Sequence, residues 1–446
     1  MSHPTFKRIV LISISSLIIS APFFLYPLFE RPSLSQMHYI MVCGAALIFG
    51  IAAAAFIFPI KIFPLSPKDS PLILVGLYTA ALIISAFFSG SFLFSLKEML
   101  FLLVCMGLFA ALVIAQITPA DMNKILILFC AVGAVSAIYG ILQNYGIEFL
   151  GYAAESKKGK MNVLSIFGHP NYLAAYLTPL LPIHINAFLN TTARLKRCLI
   201  IASSFLLAFC LALAGTRGAW LSLILAMPVL FILRSKMKNI PLDVVKIAGN
   251  VFKTFIILAV IAISLLTLAS PRYSLRERLG DSMPLLSRFY SWRMAGEMLK
   301  DRPFLGVGYG RYKVLYWDYV NQFQMRPENR IYDYLLNYGK GVPPINVHNE
   351  FFEIAAESGI IGFALFMAFL TLVFLRGWKT LANPKRQLEN QILPGILAGI
   401  LCILADALFN FPLHQPLSAL LFWILAAFSF SFRLKRGGAS KMTKAI

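Results

Sequence analysis

One stretch gathers the residue types that catalyse transfer to a hydroxyl: Val347-His348-Asn349-Glu350-Phe351-Phe352-Glu353-Ile354-Ala355-Ala356-Glu357. Near pH 7 a neutral histidine can accept a proton from an attacking hydroxyl. Asn349 is suited to cap the helix that follows, and the N-terminus of a helix favours anions. Glu353 and Glu357 are four residues apart and share a face. Carboxylates so close to an apolar run are costly unless paired or wet. A histidine alone here would read as an interfacial residue; with Asn349, Glu350 and the other acids beside it, His348 reads as a catalytic base.

The groups that would hold an anion are arginines. Arg217 lies in Ala214-Gly215-Thr216-Arg217-Gly218-Ala219-Trp220, a minimal break between two apolar runs. A guanidinium flanked by glycines can present its fork and nearby backbone N–H groups to one phosphate; a snorkelling turn residue is the competing reading. Arg288 and Trp292 are four apart on a stretch with helical periodicity, 286–300, while Arg293 points elsewhere. A solvated helix face would explain either arginine taken singly. His169 in Phe167-Gly168-His169-Pro170-Asn171 opens another helix, with Pro170 well placed at its first turn. His414, in Asn410-Phe411-Pro412-Leu413-His414-Gln415-Pro416, reads as a structural turn residue. No Asp-x-Asp pair, Cys/His metal spacing, phosphate-binding Gly-Lys loop or Gly-x-Ser-x-Gly elbow occurs. That favours cationic side chains over a metal as the phosphate clamp.

The elements that must position these residues are membrane spans. Of the chain's residues 59% are hydrophobic and 13% charged, about half the charge of a soluble domain. Twelve runs are long and apolar enough to be candidates: 9–29, 38–60, 72–89, 97–117, 123–145, 170–190, 198–214, 218–233, 247–270, 351–375, 391–409 and 415–432. The expected fold is therefore an all-α integral membrane protein. It has about twelve transmembrane helices and a large, partly helical loop between the ninth and tenth. The expected division is nine spans over 1–270, the loop over 271–350, three spans over 351–432 and a basic tail over 433–446. The run after Lys7 and Arg8 has no clear cleavage site and reads as a retained first span. The six cysteines all lie in apolar runs and read as core residues.

With both termini in the cytoplasm, the short cytoplasmic loops hold 21 basic residues and the opposite short loops six. The positive-inside rule favours that orientation, which puts the 271–350 loop outside. The net charge of +21 thus divides by membrane side and does not call for nucleic acid. The loop carries twelve basic residues, Arg272 to Lys340, which this reading assigns to what the loop binds. Its Tyr and Trp residues suit a membrane interface and also the faces of sugars.

Six motifs in this order resemble the O-antigen ligase and O-antigen polymerase superfamily. They are Ser85-Ala86-Phe87-Phe88-Ser89, Phe167 to Ala174, Gly215-Thr216-Arg217-Gly218, Arg288 to Trp292, Asp301-Arg302-Pro303-Phe304-Leu305-Gly306-Val307-Gly308 and His348-Asn349-Glu350. The resemblance implies a metal-independent, inverting glycosyltransferase with no cofactor. It would sit in the bacterial inner membrane and take glycan from an undecaprenyl-diphosphate carrier on the periplasmic face. The acceptor would be the hydroxyl of a lipid A core in a ligase, another carrier-linked glycan in an O-antigen or exopolysaccharide polymerase, or a protein hydroxyl in other relatives. By motif, His348 would be the base, Arg217 and Arg288 would grip the diphosphate, and Arg293 and His169 match less closely. A lipid-linked glycan transporter is the rival of another class; the scarcity of deep acids other than Asp406 counts against it.

Overall fold

A computed structural model describes residues 3–24, 32–57, 71–150, 163–235, 283–326, 346–383 and 387–430. Among them the chain is all-helical, with no strand. The helices are α1 (His3–Ser20), α2 (Pro32–Ile57), α3 (Pro71–Phe88), α4 (Phe92–Ala115), α5 (Pro119–Asn144), α6 (Pro170–Leu177), α7 (Leu180–Asn190), α8 (Arg194–Ala214) and α9 (Arg217–Ser235), followed by α10 (Met283–Asp301), α11 (Tyr312–Gln324), α12 (Glu350–Leu381), α13 (Gln387–Asp406) and α14 (Pro416–Phe430). By length and composition, nine of the described segments can cross a membrane, with α6 and α7 together forming one of them. Gln391–Asp406 and Pro416–Phe430 are shorter apolar helices. The ninth sequence candidate, 247–270, lies outside the described residues, as do 271–282, 327–345 and the 433–446 tail.

Sequence explains where these helices start and break. Thr118 caps α5 through a reciprocal pair with Asp121, and Pro119 takes the first helical position, where its missing N–H is no loss. The single span expected over 170–190 is two helices, α6 and α7, with Pro179 at their junction. The helix expected over 286–300 is α10. α13 lies against α9 and α7, α12 against α3 and α10, and α14 against α4. The α7 contact is close: a side-chain carbon at Gly395 would stand 2.8 Å from Asn186 Cβ, and one at Gly399 3.0 Å from the Pro179 carbonyl oxygen. Small residues of this kind let helix backbones approach where the surrounding lipid is as apolar as the side chains.

α12 is not continuous. At Gly359 the backbone turns to φ 66° and ψ −174°. The break frees carbonyls in the preceding turn, and the 303–310 segment fills the gap. Val307 N–H donates to Ala356 O at 2.9 Å, Gly308 N–H to Glu357 O at 3.0 Å, and Ile360 N–H to Pro303 O at 2.8 Å. A side-chain carbon at Gly359 would meet Phe304 O at 2.2 Å, and one at Gly306 would meet Glu357 C at 2.5 Å. These glycines serve both the positive φ and the close approach. Arg302 and Arg311 donate to the Phe88 and Ser89 carbonyls at the end of α3, so the 303–310 segment ties α3 to α12. That gives the Ser85–Ser89 and Asp301–Gly308 motifs a structural task.

Candidate functional site

The candidate site lies where α9, α10 and α12 begin and α13 ends. Asn349 caps α12, its Oδ1 accepting from Phe352 N–H at 3.0 Å while its Nδ2 donates to Leu408 O at 3.0 Å. Glu350 N–H donates to Ala407 O at 2.9 Å. His348 precedes the cap in a left-handed conformation, φ 59°. A non-glycine residue in that region costs on the order of 1–3 kcal/mol, and such residues gather at functional sites. The His348 ring meets the Phe411 ring edge-on with centroids 5.0 Å apart, and its carbonyl faces Trp292 Nε1 at 3.5 Å. Trp292 and Arg288 do share the face of α10 turned to this end of α12, as their spacing implies.

Electrostatics places the other groups. Burial, with the charges of Arg288 and His169 acting the same way, pushes His348 down from its ordinary value to about 4. Burial also lowers Arg288; the Asp406 carboxylate opposes that and the Arg217 guanidinium adds to it. Arg288 thus lies in the fields of Asp406 and Arg217, and His348 in those of Arg288 and His169. Asp406 ends α13 against the first turn of α9: a side-chain carbon at Gly218 would stand 3.0 Å from its Oδ1. Asn410 Nδ2 donates to Asp406 Oδ2 at 3.3 Å. Here the buried His348 Nδ1, Thr216 Oγ1 and Asn410 Oδ1 have no hydrogen-bond partner among the described residues. Buried polar atoms are normally paired, so three orphans in one place mark a surface built for something polar.

The remaining sequence candidates divide. His169 caps α6, its Nδ1 accepting from Asn171 N–H at 3.1 Å, with its ring 4.7 Å from that of Tyr172. Arg293 is committed elsewhere: it pairs with Glu297 at 3.4 Å and lies over the Phe323 ring. Glu297 also holds Lys300 and Arg326 at 2.9 Å, and Lys313 pairs with Glu98 at 2.7 Å. Among the loop's described residues, Lys313, Arg302 and Arg311 tie it to the bundle, while Arg293, Lys300 and Arg326 pair with Glu297 within the loop, so part of its charge has a structural use.

Behind the His348 turn lies a buried cluster. Glu350, Glu353 and Glu357 are 1%, 2% and 2% exposed. His414 Nδ1 meets Glu350 Oε1 at 2.7 Å, and its Nε2 stands 3.3 Å from Tyr309 Oη and 3.7 Å from Glu353 Oε1. Burial alone would lower His414; the Glu350 and Glu353 carboxylates outweigh it and raise the imidazole to about 10. Glu353, Glu357 and His414 bring ligand-type atoms within 4.8 Å of one another. Each already has protein partners: Glu353 accepts from Asn346 Nδ2 and Val347 N–H, and Glu357 from Tyr312 N–H. Sequence reading left Asp406 as a stray deep acid and His414 as a turn residue. The only signal for either was its place just before or after a Phe-Pro turn.

Residues 202–367 match the family model described as O-antigen ligase. Over that stretch the chain is similar to an O-antigen ligase domain. The match takes in Arg217, Arg288, Arg293 and His348, and both arms of the Gly359 break. His169, Asp406 and His414 fall outside it and meet the matched stretch through the geometry just described. No curated protein gives a significant match to the chain.

Proposed function

We propose that this membrane protein transfers a glycan from undecaprenyl diphosphate to an acceptor hydroxyl, with inversion at the anomeric carbon and without a metal ion. The acceptor hydroxyl attacks the anomeric carbon as its proton passes to the His348 imidazole. The bond from that carbon to the diphosphate oxygen breaks, and the electron pair leaves on the diphosphate. Arg217 and Arg288 stabilise that growing charge, and preorganised donors in a dry site are worth about 10²–10³ in rate apiece. The Asp406 carboxylate offsets part of the cost of burying the Arg288 charge. The observation that supports this reading is the electrostatic coupling of Arg288 to His348 on one side and to Arg217 on the other, near the starts of three helices.

The low basicity of His348 fits the sequence of events. In the free site the imidazole is neutral and ready to accept a proton. A bound diphosphate places negative charge beside it, which raises its affinity for that proton. The carrier's tail stays in the lipid, which accounts for a site at the end of a bundle of apolar helices. A site on the periplasmic side, with both termini in the cytoplasm, follows from the distribution of Lys and Arg.

A lipid A core is the favoured acceptor, after the ligase domain; a second carrier-linked glycan or a protein hydroxyl would use the same chemistry. Purified protein with carrier-linked glycan and each acceptor in turn tests this. Covalent transfer in the presence of a chelator supports the proposal, and loss of transfer that added metal restores would sink the arginine clamp.

A further inference from the structure

The His414 cluster has geometry that a turn residue does not need. His414 and Leu413 grip both oxygens of Glu350: His414 Nδ1 meets Oε1 at 2.7 Å and Leu413 N–H donates to Oε2 at 3.2 Å. The Glu350 backbone is held in turn by Ala407 O, Asn349 by Leu408 O, and the His348 ring by Phe411. The 407–414 turn therefore clasps three successive residues, the first of them His348. On its far side the imidazole meets Tyr309, ring against ring at 5.8 Å, and Glu353.

We infer that His414 is a positioning residue: as the cation among Glu350, Glu353 and Glu357, it fixes the start of α12 and so holds His348 in its left-handed, reactive placement. This rests on the transfer reaction proposed above. A simple turn residue would cost stability when lost and leave kinetics alone. A positioning residue leaves donor binding, which depends on arginines from α9 and α10, and lowers the chemical step. The imidazole's raised basicity fits the role, because it stays cationic through the neutral range with Glu350, Glu353, Glu357 and Tyr309 facing it.

His414→Gln keeps a hydrogen-bond donor and removes the charge. In the reconstituted full-length protein it should lower kcat about 10- to 100-fold, the cost of a displacement near 1 Å. KM for the carrier-linked donor should stay within about threefold of wild type, as expected when only transition-state contacts are lost. The double variant His414→Gln with Glu350→Gln restores a neutral, hydrogen-bonded pair and should return kcat to within about fivefold of wild type, the coupling a double-mutant cycle reads. A kcat for His414→Gln within threefold of wild type overturns the inference, as does a folded double variant no faster than the single one. If His414→Gln fails to accumulate in membranes, the double variant alone decides by the same fivefold criterion. Absence of transfer by the wild type overturns the function itself; wild-type transfer with indifferent His414 variants overturns only the positioning role.

Discussion

At the residue scale the account depends on protonation and charge. His348→Ala should lower kcat by about 10²–10⁴, the usual worth of a general base, while the protein still inserts; steady-state transfer rates and membrane yield check this. The pH profile is more specific. Transfer needs neutral His348, so kcat/KM, which reports the free enzyme, should hold through neutral pH and fall as pH drops through the imidazole's value of about 4. Arg288→Gln removes one of the charges that disfavour protonation of His348. Its acid limb should therefore move to higher pH while donor use weakens. An unmoved limb would separate the two residues. The sequence exposed His348, Arg217 and Arg288 by type and neighbourhood. It did not expose Asp406 and His414, whose meaning lies in contacts with residues far away in the chain. Nor did it show that Arg293 was already taken by Glu297, a pairing set by the turn of α10.

At the element scale the decisive feature is the break in α12. Sequence spacing gave the helix and the Asn349 cap. The break was not legible, because Gly359 sits inside the run 351–375, which reads as one continuous span. Only the pairing of Val307 and Gly308 with the freed carbonyls shows that a loop motif and a helix interior form one joint. Gly359→Ala should therefore be severe. It forces an alanine to positive φ, roughly 1–3 kcal/mol, and drives a methyl group into the Phe304 carbonyl. A lower thermal midpoint in detergent together with lost transfer is expected. Asn349→Ala removes the cap and the tie to Leu408 and should cost about 0.5–2 kcal/mol of stability. Its effect on kcat should exceed its effect on the midpoint, because the cap adjoins His348.

At the scale of the whole molecule, composition and apolar runs were enough to read a polytopic helical membrane protein. Eleven of the twelve candidate runs coincide with described apolar helices, α6 and α7 sharing one. The loop's positive charge was harder to interpret, since a basic residue that binds a ligand and one that caps a helix look alike in sequence. Arg302 and Arg311 at the end of α3 are of the second kind. On the proposed reading, the bundle takes the carrier's tail, the arginines its diphosphate and the imidazole the acceptor's proton. The most direct test reconstitutes the purified full-length protein in liposomes with undecaprenyl-diphosphate-linked glycan, a lipid A core acceptor and a chelator, beside its His348→Ala variant. The account predicts covalent glycosylation of the acceptor with release of undecaprenyl diphosphate by the wild type and not by the variant. Movement of the carrier-linked glycan across the bilayer without covalent transfer, or undiminished transfer by the His348 variant, would contradict it.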